Sequence, residues 1–134
     1  MTRFMLDTNI VSAVIHGRSR PLDRRLSATS PSSLCISVVT FAETAFGLAK
    51  RPAATTLAAT AGDLFRRIGV LDFDREAGAV YGTLRAQLEA RGTPLSPLDM
   101  LIAAHALAAG VTLVSNDKAF RLVSNLSLED WTAA

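Results

Sequence analysis

Apolar residues run through this chain in two rhythms, short β-branched stretches and longer helical ones, with polar punctuation between them. Arg3 to Asp7 reads as a strand. Asn9 to His16 follows as a helix, with Thr8 to cap it and Gly17 to end it. A short helix is expected around Leu22 to Ala28, then a buried strand from Leu34 to Val38. Thr40 to Lys50 reads as a helix stopped by Arg51-Pro52, and Ala53 to Ile68 as a longer one ended at Gly69. Val70 to Phe73 is a strand, Asp74 caps a helix running to Arg91 and closed by Gly92, and Ser96 to Ala109 is the next helix, with Gly110 past its end. Val111 to Ser115 is a strand, a helical turn follows near Lys118 to Leu122, and Leu126 to Leu128 makes an edge strand with Trp131 packed nearby. No repeat, linker or low-complexity tract interrupts, so residues 1–134 read as a single domain.

Alternation of strand and helix predicts an α/β fold: a three-layer α/β/α sandwich whose central sheet is mostly parallel. Right-handed crossovers place the C-terminal ends of such strands on one edge, and ligands bind there, where the strand order reverses. Four acids stand at that edge. Asp7 and Asp117 fall just beyond strands, while Glu43 and Asp99 fall in the first turns of helices that start there. Gathered carboxylates repel and raise one another's pKa unless a cation intervenes. A set of oxygen donors without Cys or His favours Mg²⁺ or Mn²⁺ over Zn²⁺, and such metals serve phosphate chemistry.

Taken singly, the acids have plainer explanations. Ser96-Pro97-Leu98-Asp99 is a complete capping box and Thr40-Phe41-Ala42-Glu43 has the same form, so capping is the stronger account of either acid alone. Asp117 suits a turn equally well. Asp7 resists such an account, because it sits between a buried strand and an apolar helix with no base near it in sequence. Capping does not predict that all four share an edge. Thr8 and Asn9 after the first acid, and Ser115 and Asn116 before the last, can orient a carboxylate or a water, or serve simply as caps.

Composition narrows the rest. Cys35, the single cysteine, lies in an apolar run, so no disulfide forms within the chain and a reducing, cytoplasmic setting is expected. The N-terminus does not read as a signal peptide, and Met100 to Val114 reads as too short and too interrupted to span a membrane. Net charge is +2; with four acids pooled in one pocket, eight acidic residues remain against 14 basic ones. That balance suits a polyanion around an acidic hole, although charge by itself describes an ordinary slightly basic domain. Arg18, Arg20, Arg24 and Arg25, Lys50-Arg51, and Lys118 with Arg121 are candidates to track a phosphate backbone, whereas Arg66-Arg67 read as solvation of a face. Aromatics make up 6%, too few for a base-stacking platform. His16 and His105 lie on separate helices, and no glycine-rich phosphate loop or nucleophilic triad can be assembled.

These residues resemble a PIN-domain ribonuclease, in particular the VapC toxins of bacterial type II toxin–antitoxin systems. FMLDTNIVS is similar to the opening block of that family, CISVVTFAETAFGLAK to the second, and LSPLDMLIAAHALAAGVTLVSNDKAF to the long third. VLDFD and the closing LSLEDW resemble its enteric-type branch. Ser96 departs from the glycine common before the proline and keeps a cap. The resemblance implies a PIN-like nuclease domain over residues 1–134 and a Mg²⁺- or Mn²⁺-dependent endoribonuclease. It further implies a homodimer inhibited by a cognate VapB-type antitoxin, with structured RNA, tRNA included, as substrate. On this basis Asp7, Asp99 and Asp117 are expected to hold the metal, and Glu43 to complete the catalytic set. Two other classes stay open at this stage. A receiver-like phospho-acceptor module needs paired acids near the first strand, where only Asp7 stands, and a haloacid-type phosphatase needs a second aspartate where Asn9 is found.

Overall fold

The computed structural model describes residues 3–92 and 95–133 of the chain. Five strands form one sheet: β1 (Phe4–Leu6), β2 (Leu34–Ser37), β3 (Gly69–Leu71), β4 (Thr112–Val114) and β5 (Leu128–Glu129). Their order is β3-β2-β1-β4-β5 and every neighbouring pair is parallel. The sheet is thus parallel throughout, where the sequence predicted a mostly parallel one. Six α-helices surround it: α1 (Thr8–His16), α2 (Arg20–Ser27), α3 (Val38–Ala49), α4 (Thr55–Arg67), α5 (Arg75–Ala90) and α6 (Pro97–Ala109).

The layers follow from alternation along the strands. Met5, Cys35 and Leu113 point to one face, where they join Leu84 and Leu88 of α5 and Ile102 and Ala103 of α6. Leu6, Leu34, Ile36 and Val114 point to the other, against Ile10 and Val11 of α1, Leu22 of α2 and Leu64 of α4. Trp131 closes this second face, edge-on to Phe4 with ring centroids 5.0 Å apart. Helix α3 leaves β2 directly and packs against both α1 and α6, over the C-terminal edge of the sheet.

Several element ends differ from the sequence reading. Asp7, not Thr8, is the N-cap of α1: its carboxylate accepts from Ile10 N at 2.9 Å, so Thr8 is already helical. Helix α3 begins at Val38 with Ser37 as its cap, which puts Thr40 inside the helix and takes Val38 out of the strand. The Thr40 capping box therefore does not form, because Ser37 offers an acceptor three residues earlier. The last strand lies at Leu128–Glu129 rather than 126–128. Caps at Asp74, Ser96, Gly17 and Gly110 form as expected; Gly17 and Gly110 take left-handed φ values of 63° and 66°.

Candidate active site

Strand order reverses between β1 and β4, and the acids stand around that point. Strands β2 and β3 lie on one side of β1 while β4 and β5 lie on the other, so the loops leaving β1 and β4 diverge and open a crevice. The Asp7 amide donates to Val114 O at 3.1 Å, which carries the ladder one residue past the strands. Asp7 is only 3% exposed, and Ser115 beside it is equally buried. Burial is the main cause that raises the Asp7 carboxyl to about 6. The Ser115 hydroxyl and the Ile10 N–H favour its ionised form and partly offset burial, and the charges of Asp99 and Asp117 push it up further.

The other acids arrive by separate routes. Asp117 caps the 3₁₀ turn Lys118–Leu122, accepting from Ala119 N at 2.9 Å, while its own N–H donates to Ser115 Oγ at 3.0 Å. Asp99 sits in the first turn of α6, its N–H donating to Ser96 Oγ at 3.2 Å. Its carboxyl is raised by burial first, then by the charges of Asp117 and Glu43, against a lowering bond from Ser96. Glu43 comes from the second turn of α3 rather than the first, and Thr8 Oγ1 donates to its Oε1 at 2.7 Å. Thr40 Oγ1 lies 3.3 Å from Thr8 Oγ1, buried behind it, a supporting contact that sequence reasoning mistook for a cap.

Each of the four acids thus stands within electrostatic reach of another, on one edge. None of them joins an ion pair among the described residues; the described pairs are Arg25–Glu129, Arg66–Asp63 and Arg85–Glu89. As the side chains stand, no three His, Cys, Asp or Glu among the described residues lie close enough to enclose an ion. The site fits a hard divalent cation by charge and donor type, since it offers carboxylate oxygens from buried Asp7 and half-buried Glu43, Asp99 and Asp117, none of them in a described ion pair. Enclosing the ion requires those side chains to move together.

Of the supporting residues, Thr8 and Ser115 touch the acids. Asn9 and Asn116 do not hydrogen-bond to any of them among the described residues; they are exposed and line a shelf with Ser12, Arg18, Ser19 and Thr132. His105 is packed in the core: its Nδ1 lies 2.7 Å from Ser37 Oγ, its ring meets Phe73 edge-on, and burial lowers its pKa. Cys35 is fully buried, and burial raises its thiol. No helix of the described residues is long and apolar enough to cross a membrane.

A three-layer parallel sheet of this order with an acidic crevice at its switch point defines a class, and the sequence places the chain in it. The chain belongs to the PIN-domain family, whose signature matches residues 4–126. Within that family its relatives are VapC ribonucleases. It is 34% identical to the tRNA(fMet)-specific endonuclease VapC of Salmonella typhimurium, over 98% of this chain and 99% of that one. It is equally identical to ribonuclease VapC2 of Haemophilus influenzae, over the same shares. Its fold superposes on the crystal structure of VapBC2 from Rickettsia felis bound to a promoter DNA fragment, with a TM-score of 0.91 at 30% identity, covering 97% of this chain and 99% of that one. DNA-bound VapBC from Salmonella typhimurium gives 0.90 at 34% identity, covering 98% and 99%.

Proposed function

We propose that this chain is the ribonuclease toxin of a type II toxin–antitoxin pair, a divalent-metal-dependent endonuclease that hydrolyses RNA phosphodiester bonds and is restrained by a VapB-type antitoxin. One observation carries the reading: Asp7, buried at the crossover with a pKa near 6, faces other acids and no described cationic partner. Asp7 also caps α1, but Ser, Thr or Asn caps a helix without burying a charge, so the carboxylate itself points to a ligand. The VapC relatives and their antitoxin complexes supply the activity and the partner class.

In this reading Asp7, Asp99 and Asp117 hold Mg²⁺ or Mn²⁺. Bound there, the ion would supply Lewis acidity, stabilising charge on the scissile phosphate and making water a stronger nucleophile. The chain's own residues do the rest. Glu43, fixed through Oε1 by Thr8, orients the attacking water with its other oxygen and takes its proton. Ser115 holds Asp7 and Asp117 in place, and Asn9 and Asn116 act from the rim through water. In-line attack breaks the P–O3′ bond, the leaving oxygen takes up a proton, and the products carry a 5′-phosphate and a 3′-hydroxyl. Structured RNA, tRNA included, is the substrate.

Beside Glu43 runs an apolar groove lined by Val38, Val39, Ala42, Phe46, Leu98 and Leu101, with Phe46 65% exposed. It suits an apolar antitoxin segment whose arginine reaches the acids. Phe41 and Leu122 are further exposed large apolar side chains, and such surface favours a homodimer. The test is to map the 5′ ends of total RNA after brief induction, beside an Asp7→Asn control. Discrete new ends bearing 5′-phosphate, absent from the control, support the reading; an Asp7→Asn chain that cuts at near-normal rate would sink it. The receiver alternative is disfavoured by topology, since that fold orders its strands 2-1-3-4-5.

A further inference from the structure

Beside Glu43, the C-terminal halves of α1 and α3 and the start of α4 enclose a cleft lined by apolar Ile15, Leu48 and Leu57, with the basic side chains His16, Arg18, Lys50 and Arg51 around them. Glu43 is its only carboxylate among the described residues, and Thr8 and Glu43 form its border with the acidic crevice. None of the four basic side chains joins a described ion pair, whereas Arg25, Arg66 and Arg85 each have a carboxylate partner. Arg18, Lys50 and Arg51 are like charges around one cleft, and a polyanion relieves their repulsion. His16 and Arg18 stand at the C-terminal end of α1 as Lys50 and Arg51 stand at that of α3, so each dipole favours its own basic residues, but neither dipole predicts that both ends face one cleft.

Three details give the cleft a built form. The Lys50 ammonium lies 4.6 Å from the centroid of the Phe46 ring, and Lys50 borders both this cleft and the apolar groove that Phe46 lines. His16 Nδ1 lies 2.9 Å from the Ser12 carbonyl oxygen; a carbonyl only accepts, so that nitrogen carries the proton and Nε2 is the free one. Gly47 forms part of the wall inside α3, and a Cβ there would meet no protein atom within 4 Å. Neither packing nor a left-handed backbone requires glycine at that point of a helix, and it leaves the wall low there.

We propose that this cleft seats RNA phosphates adjacent to the scissile one, on Arg18, Lys50 and Arg51, while the reacting phosphate lies over the acids. This deepens the ribonuclease reading and rests on it for the identity of the polymer. No Phe, Tyr or Trp lines the cleft, and His16 is its single ring among the described residues, so bases find no extended stacking platform here. The cleft supplies affinity and register, and sequence choice is made elsewhere.

The test is RNA binding by the Asp7→Asn chain, which removes turnover, followed by fluorescence anisotropy across a salt series. Adding Lys50→Ala with Arg51→Ala should weaken binding about tenfold or more, equally for RNAs of unrelated sequence. The slope of log affinity against log salt should fall by about 0.7 for each lost contact. An Arg66→Ala, Arg67→Ala pair removes the same charge from a face outside the cleft and should leave the slope unchanged. An unaltered slope in the cleft variant, an equal loss in the Arg66/Arg67 variant, or a loss confined to one sequence overturns the proposal. So does intact RNA binding with weakened antitoxin inhibition, which would make the cleft an antitoxin site. If the wild-type chain cleaves no RNA while the slope behaves as stated, the reaction assignment fails and the cleft stands. If cleavage persists and the slope does not move, the cleft alone fails.

Discussion

The Thr8 hydroxyl donates to Glu43 Oε1 at 2.7 Å, tying the first turn of α1 to the middle of α3. A carboxylate on a half-exposed helix face would otherwise sample several rotamers, and this bond selects one that faces the acidic crevice. Thr8→Val keeps the shape of the side chain and removes the donor. Turnover should fall about 10–100-fold, the range seen when a supporting partner of a metal-site group is lost. Thr8→Ser should restore most of it. Single-turnover cleavage of a defined RNA measures both, and a valine variant as fast as wild type would show that Glu43 needs no such anchor.

Asp7→Asn should separate activity from stability. The amide still offers an oxygen to cap α1, so the fold persists, while the rate falls by several orders of magnitude. The sign of the pH effect follows from the carboxyl's rise from 3.8 to about 6. Below about pH 4 the group is protonated in both folded and unfolded chains and costs nothing. Between about 4 and 6 the unfolded chain ionises first, so stability falls as pH rises. Above that the loss is constant, about 3 kcal/mol at 1.36 kcal/mol per pH unit. In metal-free buffer at pH 7.5, Asp7→Asn should therefore melt at a higher temperature than the native chain, and the two should converge near pH 4. A lower melting temperature at pH 7.5 would mean that Asp7 is a structural acid.

Much of this arrangement was legible in the sequence because one rule governs it: acids at the C-terminal ends of parallel strands converge whatever their spacing. Asp7 and Asp117 followed directly from the strands, and Asp99 from its capping box. Glu43 reached the right edge for the wrong reason. Thr40-Phe41-Ala42-Glu43 has the form of a helix start, yet Ser37 caps α3 and places Glu43 in its second turn. Ser37 was hidden inside the run LCISVV, where its hydroxyl both accepts from Val39 N at 3.1 Å and meets His105 at 2.7 Å. That second contact spans 68 residues, and no local pattern announces it. The same limit applied to the arginines. Sequence could group Arg18 with Arg20, Arg24 and Arg25, but only packing shows Arg18 in the cleft beside Glu43 and Arg25 over Trp131, paired with Glu129 at 3.0 Å.

Metal affinity should depend on pH through the same group. A cation competes with the proton on Asp7, and burial and the neighbouring acids raise Asp99 in the same direction. Mn²⁺ binding, followed calorimetrically with the RNA absent, should be strongest above pH 7. It should weaken about tenfold per unit of pH once Asp7 is mostly protonated, below about 6. Binding should release protons to the buffer, which changes the apparent enthalpy between buffers of different ionisation heat. In Asp7→Asn the steep dependence near 6 should vanish. Affinity that is flat from pH 5 to 8 in the native chain would place the ion on other ligands.

Gly47 offers a test in which stability and binding move apart. A glycine inside a helix costs roughly 0.5–1 kcal/mol relative to alanine, and the space around its Cα is open. Gly47→Ala should therefore raise the unfolding free energy by about that amount, with little effect on RNA affinity, because a methyl group adds no charge and little bulk. Gly47→Glu keeps a helix-compatible backbone but adds a carboxylate to the wall shared with Arg18, Lys50 and Arg51. It should be at least as stable to heat as the native chain while binding RNA at least tenfold more weakly, and the deficit should shrink as salt is raised, since the added repulsion is screened. Chemical denaturation and anisotropy on the same preparations separate the two effects. An alanine variant that loses stability would show that α3 needs glycine for its backbone; a glutamate variant that binds RNA as well as the native chain would show that phosphates do not pass this point.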